Sequence, residues 1–297
     1  MNKLQLSKFV QDPEVVKRIK PLRPASTRVF KDPIVVKPKT KHNQIIGDAF
    51  DYLFRFELLR RHSEIESGEW VAELAPDCIW SDDYLDQLVL RIVGENAELV
   101  DRMELRYRAI SEIEAAKEAS SIYTVSKAPN KKHLHQLAHH AMVLARLNSV
   151  VRALVLDANF EVACPEGQDE LVELLEIVPA FLFEKRMGIV LNPSGILIKT
   201  GLSGDADLIL DDKLIDLKTV MKGEFSAAMH DQLLGYFILF KNADSKSYSG
   251  ANIRHYGVYF SRHAKYIEFS VDHWLTNPAF PEIENWFINH TCIPTIE

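Results

Sequence analysis

The sequence predicts an α/β protein: a mixed central sheet flanked by helices, interrupted by a helical block. Three observations lead there. Short apolar runs separated by turn residues fill 187–218, helical periodicity brackets them on both sides, and a β-rich run at Ile253–Phe260 follows the second helix. The stretch from about Tyr84 to Asp157 is instead rich in Leu, Ala, Glu and Arg and nearly free of glycine. It predicts two or three long helices packed on one another, broken at Ala128-Pro129-Asn130. With 297 residues, 47% of them hydrophobic, the chain has apolar side chains for one large core or two modest ones.

Taken in order, residues 1–42 are predicted to be a basic arm of extended segments and turns, because Pro13, Pro21, Pro24, Pro33 and Pro38 interrupt any long helix. Eleven Lys/Arg against three Asp/Glu give the arm a surplus of eight positive charges, which leaves −15 on the rest of a chain of net charge −7. Such an arm suits phosphate contacts or a solvated leader. From Gln44 to Arg61, Ile46, Phe50, Leu53, Phe54, Leu58 and Leu59 recur at three-to-four-residue intervals and predict a helix. Arg55, Arg60 and Arg61 lie between them, as phosphate contacts or as a solvated helix face. A further helix is expected from Asp169, as N-cap, to about Phe183. Met187–Leu191, Gly195–Thr200, Asp207–Leu210 and Leu214–Lys218 then read as consecutive strands of a meander, with the Asn192-Pro193-Ser194-Gly195 turn among them, and Phe225–Lys241 as a helix. The expected organisation is an arm at 1–42 and one domain at 43–297, its core formed by about 43–62 and 160–297 around a helical insertion at about 63–158.

Several classes find no support. Cys78, Cys164 and Cys292 are dispersed and odd in number, unlike a disulfide framework or a clustered thiolate site. No segment approaches the roughly 20 apolar residues that cross a bilayer. The opening MNKLQLSKFVQDPE lacks the apolar core of a secretory signal, so a cytoplasmic protein without membrane association is expected. Phosphate-binding Walker motifs, nucleophile elbows and Rossmann fingerprints are missing. His133, His135, His139 and His140 share a predicted helix. His135 and His139 have the i, i+4 spacing of some zinc ligands, but no glutamate lies between them, and a polar helix surface is expected.

The chemistry concentrates in Gly204–Thr219. Side chains alternate along a strand, so Asp216 and Lys218 share one face while Ile215 and Leu217 take the other. If Asp211-Asp212 is a two-residue turn, Leu210 pairs with Lys213, Ile209 with Leu214 and Leu208 with Ile215, which brings Asp207 opposite Asp216. Like charges so placed destabilise a sheet by roughly 0.2–1 kcal/mol, so the arrangement asks for a cation. Mg²⁺ suits it, since a hard ion takes one or two carboxylates together with waters. Solvated turn acids with a surface Lys218–Asp216 pair are the bland alternative. On the next helix Gln232 and Tyr236 are four apart and share a face.

Gly204-x-x-Asp207, then Asp216-Leu217-Lys218-Thr219, then Gln232-x-x-x-Tyr236 resembles the RecB-like, lambda-exonuclease-like branch of the PD-(D/E)XK nuclease superfamily. The resemblance implies a restriction-endonuclease-like core and metal-dependent phosphodiester hydrolysis, of DNA ahead of RNA. It implies that Asp207, Asp216 and the Leu217 backbone carbonyl bind Mg²⁺ or Mn²⁺, that Lys218 orients the attacking water, and that Gln232 and Tyr236 fix the site or contact the nucleic-acid backbone. Family members carry another acidic or histidine ligand after a helix glycine. Gly47-Asp48-Ala49-Phe50-Asp51 offers Asp51, although aspartate departs from the usual His or Glu, and Glu173 or Glu176 competes with it. Many relatives hold an iron–sulfur cluster through four cysteines; with three here, none is expected. Two other readings stay open: a catalytically inactive nuclease fold that binds nucleic acid or scaffolds a complex, and a helical interaction protein with an accidental acidic hairpin. Protein partners or self-association are compatible with either.

Overall fold

A computed structural model describes residues 4–24, 28–30, 32–65, 68–81, 92–93, 101–185, 188–243 and 252–290. The chain forms two compact units, one from Met1–Pro33 with Glu184–Glu297 and the other from Ile34–Phe183. This partition differs from the expected one. The N-terminal residues belong to the sheet-bearing unit, and the helix Asn43–Arg61, expected in the same core as the strands, belongs to the helical unit. Met187, Cys292 and, apart from Ile92–Val93, the stretch Tyr84–Val100 lie outside the described residues.

The α/β unit is built on a mixed five-stranded sheet, in the order Lys265–Ser270, His255–Phe260, Lys213–Lys218, Leu208–Leu210, Ile189–Leu191. Its strands pair antiparallel except His255–Phe260, which runs parallel to Lys213–Lys218. A parallel pair needs a crossover, and the helix Ala227–Asn242 lies in that connection, capped by the Ser226 side chain at the Met229 N–H. The expected single meander is corrected. Ser194–Leu197 and Leu202–Asp205 form a hairpin of their own, in a three-stranded sheet completed by Leu4–Gln5 running parallel to Leu202–Asp205. Left-handed Asn192, with φ 45°, turns the chain out of the main sheet, and the Asn192 N–H donates to the Asp207 carbonyl at 3.1 Å where it returns.

The extended N-terminal arm is also corrected. Leu6–Phe9 and Pro13–Ile19 are helices and Lys20–Leu22 a 3₁₀ turn. Pro13 sits in the first helical turn, where its missing N–H costs nothing, and Asp12 caps that turn by accepting from the Glu14 N–H at 2.8 Å. Leu6, Phe9, Val15 and Ile19 are buried in the core, where Phe9 packs edge-on against Phe287 at 5.0 Å and the Arg18 guanidinium lies 4.7 Å over the Trp286 ring. Burying each such apolar side chain is worth roughly 1.5–3 kcal/mol, enough to draw a basic segment inward. At the other end, Lys265–Ser270 and the helices Asp272–Leu275 and Phe280–Asn289 add elements the sequence reading did not assign, with Trp274 stacked on Tyr256 at 3.9 Å.

The helical unit comprises Asn43–Arg61, Ala75–Trp80, Arg102–Val125, Lys131–Ala153 and Pro165–Glu176. Asp101 and Asn130 cap the two longest helices. The expected N-cap Asp169 lies inside its helix instead, because Pro165 takes the first position; that helix stops at Glu176, and Ala180–Phe183 is a separate 3₁₀ turn. The solvated face expected for the arginines of Asn43–Arg61 holds for exposed Arg61 and is overturned for Arg55. Arg55 is buried and donates to Asp51 Oδ2 at 2.6 Å, while Arg60 and Arg61 both donate to Glu57. Among the described residues, no helix is long and apolar enough to cross a membrane.

Candidate metal centre

The acidic hairpin takes the register of a two-residue turn: Leu208 opposite Ile215, Ile209 opposite Leu214, Leu210 opposite Lys213. Asp211 at the turn is left-handed, with φ 58°, a conformation Asp tolerates better than most residues. It is pinned to the neighbouring chain, because its N–H donates to the Gly188 carbonyl at 2.7 Å and its side chain accepts from the Gly188 N–H at 3.1 Å. The ladder ends at Leu208, so Asp207 lies just outside it, where the chain bends. The Asp207 carboxylate therefore reaches across, and its Oδ2 accepts from the Leu217 N–H at 2.6 Å.

Asp216 and Lys218 share a face, as the alternation requires. The Lys218 ammonium donates to Asp216 Oδ1 at 3.0 Å and lies 2.8 Å from Oδ2, which is outside hydrogen-bonding geometry. Asp216 is 2% exposed and Lys218 half-buried; the register partner of Asp216 on the parallel strand is Val258, with Phe260 beside Lys218. Burial pushes the Asp216 carboxyl up; Lys218 opposes this and Asp207 adds to it, leaving the group at about 6. Burial works against the Lys218 charge, but Asp216 and Asp207 outweigh it and hold the ammonium above its ordinary range. Lys218 thus stays protonated near neutrality and cannot serve as a general base.

Ala227–Asn242 brings up the remaining pair. Gln232 Nε2 donates to the Tyr236 hydroxyl at 3.2 Å, and burial, together with the charges of Asp207 and Asp216, keeps that phenol neutral. Gly204 is small for a reason that sequence alone does not reveal. A Cβ there would stand 2.8 Å from Leu6 Cβ and 3.1 Å from Tyr236 Cε1. Gly204→Ala is therefore expected to destabilise the protein by about 1–3 kcal/mol through overpacking, which thermal unfolding would show as a lowered midpoint; an unchanged midpoint would mean that Leu6 and Tyr236 yield freely.

The other expected ligands, Asp51, Glu173 and Glu176, belong to the helical unit, where the first two have partners. Asp51 pairs with Arg55, and Glu173 Oε1 accepts from Lys39 Nζ at 2.8 Å. Sequence reasoning missed Arg23, whose Nε donates to Asp231 Oδ1 at 2.8 Å, tying the N-terminal segment to the helix residue just before Gln232. No local signal could have joined residues so distant in sequence. It also misjudged one of the four histidines. His135 is at the surface, bonded to the Lys131 carbonyl and to Asp169, but His140 is buried.

Asp207, Asp216 and Lys218 together carry one net negative charge around a carboxylate held in an apolar setting. That donor set fits a hard divalent cation, which would turn the net charge to a single positive one, opposite in sign to a phosphodiester. No protein-family model, curated protein or solved structure matches the chain.

Proposed function

We propose that this chain is a metal-dependent nuclease with a PD-(D/E)XK-like core of the RecB-like kind, hydrolysing phosphodiester bonds of DNA with Mg²⁺ or Mn²⁺. The observation that carries the reading is the buried Asp216 carboxylate, set beside Asp207 and Lys218 on one hairpin. Asp207, Asp216 and the Leu217 carbonyl would hold the ion. Bound there, the ion supplies polarisation of the scissile phosphate and a water of lowered pKa. Lys218, kept protonated, orients the attacking water and stabilises charge on the phosphorane-like transition state. The Leu217 N–H fixes the Asp207 carboxylate, leaving its other oxygen for the metal. Gln232 holds the Tyr236 hydroxyl in place behind the site.

Incubating the protein with linear, circular and single-stranded DNA, and with RNA, in Mg²⁺ or Mn²⁺ tests this. Cleavage is expected with either metal and is lost on chelation and in Asp216→Asn. Equal cleavage by wild type and Asp216→Asn sinks the assignment. The second reading, a catalytically silent nuclease fold that binds nucleic acid, draws on the same ion pair: Lys218 already balances Asp216 without a metal. DNA binding without cleavage under any metal would favour it.

A further inference from the structure

We propose that the helical unit contains a transition-metal site formed by Glu112, His139 and His140, with zinc the expected occupant. Glu112 lies on the helix Arg102–Val125 and the two histidines on Lys131–Ala153, and one ligand atom from each side chain lies within 4.8 Å of the others. The site is independent of the hairpin centre and stands whether or not that centre cleaves DNA.

What points to a ligand is the state of His140. It is 8% exposed, and its Nδ1 has no hydrogen-bond partner; Glu112 Oε2 is 3.9 Å away, too far for a hydrogen bond. A buried imidazole nitrogen is normally satisfied. An ion pair with Glu112 does not account for it, since burial, with His139 adding, pushes His140 down to about 4, and burial, with Glu161 adding, raises Glu112. At neutral pH His140 is an uncharged imidazole, the form that binds metals. His139, also pushed down by burial and by Arg146, is neutral too.

The neighbouring cations are committed elsewhere. Arg108 pairs with Glu161 and donates to the Ala158 carbonyl, and Arg146 donates to the carbonyls of Phe160 and Val162. Glu112 is left facing the two imidazoles. Two neutral imidazoles and a carboxylate are a borderline donor set that suits zinc and its neighbours and disfavours Mg²⁺. Three protein ligands leave the fourth tetrahedral position to water. Zinc bonds of about 2.0–2.1 Å require the donor atoms to close in from their present spacing, a movement within side-chain torsions. Once bound, the ion clamps the two long helices together.

Calorimetric titration of the chelator-stripped full chain with Zn²⁺ tests the site, alongside the visible absorption of the Co²⁺ form and the zinc-dependent rise in melting temperature. The background is Asp216→Asn, so that zinc at the hairpin is not counted. One equivalent of zinc is expected, with affinity at least about ten-fold weaker in each of Glu112→Gln, His139→Gln and His140→Gln, in line with loss of a metal ligand, and with an imidazole-type tetrahedral Co²⁺ band that the three variants lose. Should His140→Gln fail to fold, the more exposed His139→Gln and Glu112→Gln decide. No zinc binding in the background protein, or binding untouched by all these substitutions, overturns the proposal.

Discussion

Replacing Lys218 with methionine is expected to lower metal-dependent DNA cleavage by roughly 10²–10³-fold, the usual effect of removing one preorganised charge from a phosphoryl- or acyl-transfer site. Methionine keeps an unbranched stem beside Phe260 but removes the ammonium that lies 2.8 Å from Asp216 Oδ2. Under the proposed mechanism, in which Lys218 acts on charge that develops in the transition state, the loss should fall on kcat and DNA affinity should change little. Arginine should not restore the rate, since a planar guanidinium cannot take the place of a compact ammonium at one oxygen. Single-turnover cleavage of a labelled duplex reads this out. A Lys218→Met protein that cleaves at the wild-type rate would remove Lys218 from the chemistry and leave the ion pair a structural feature.

The largest effect on stability is expected from Glu57→Gln in the helical unit. Glu57 is 4% exposed and accepts from Arg60 at 2.7 Å, from Arg61 at 2.6 Å and from the Tyr123 hydroxyl at 2.7 Å. Burial works to raise its pKa, but the bonds from Arg60, Tyr123 and Arg61 overcome this and hold it below the ordinary 4.5. Breaking such a buried network from one side costs about 3 kcal/mol, or a midpoint lower by roughly 6–12 °C at this size. The sign of the pH dependence follows from linkage. A carboxyl depressed in the folded state stabilises fully above 4.5 and loses that contribution as pH falls through the folded value. The gap between wild type and Glu57→Gln should therefore be full at neutral pH and shrink on acidification below 4.5. A gap that stayed constant down to strong acid would show that charge on Glu57 is not what holds the network.

Much of the candidate centre was legible because its determinants are local. A two-residue turn and the two-residue repeat of a strand are enough to set the pairing of Leu208 with Ile215 and the shared face of Asp216 and Lys218. The four-residue spacing on a helix likewise suffices for the Gln232–Tyr236 contact. Helix cores such as Asn43–Arg61 and Ala227–Asn242 follow from periodicity, with ends displaced by one or two residues.

What the tertiary structure decided is everything that depends on partners distant in sequence. The prolines of the first segment argued against helix, yet burial of Leu6, Phe9, Val15 and Ile19 in the α/β core overrides them, and Pro13 becomes a helix start. Arg55 looked solvated but is buried against Asp51, and Arg60 is drawn to Glu57, itself held by Tyr123, while Arg61 keeps its exposure. The hairpin alone places Asp216 on a strand; only the parallel strand His255–Phe260, delivered by a crossover helix, completes the desolvation that lifts its carboxyl to about 6. Sequence by itself therefore determined the order of the chemical groups along the hairpin and the face that Asp216 and Lys218 share, because backbone geometry repeats over a few residues. Their environment, and with it their charge state, came from packing, because burial is set by whichever distant apolar surfaces the chain brings together.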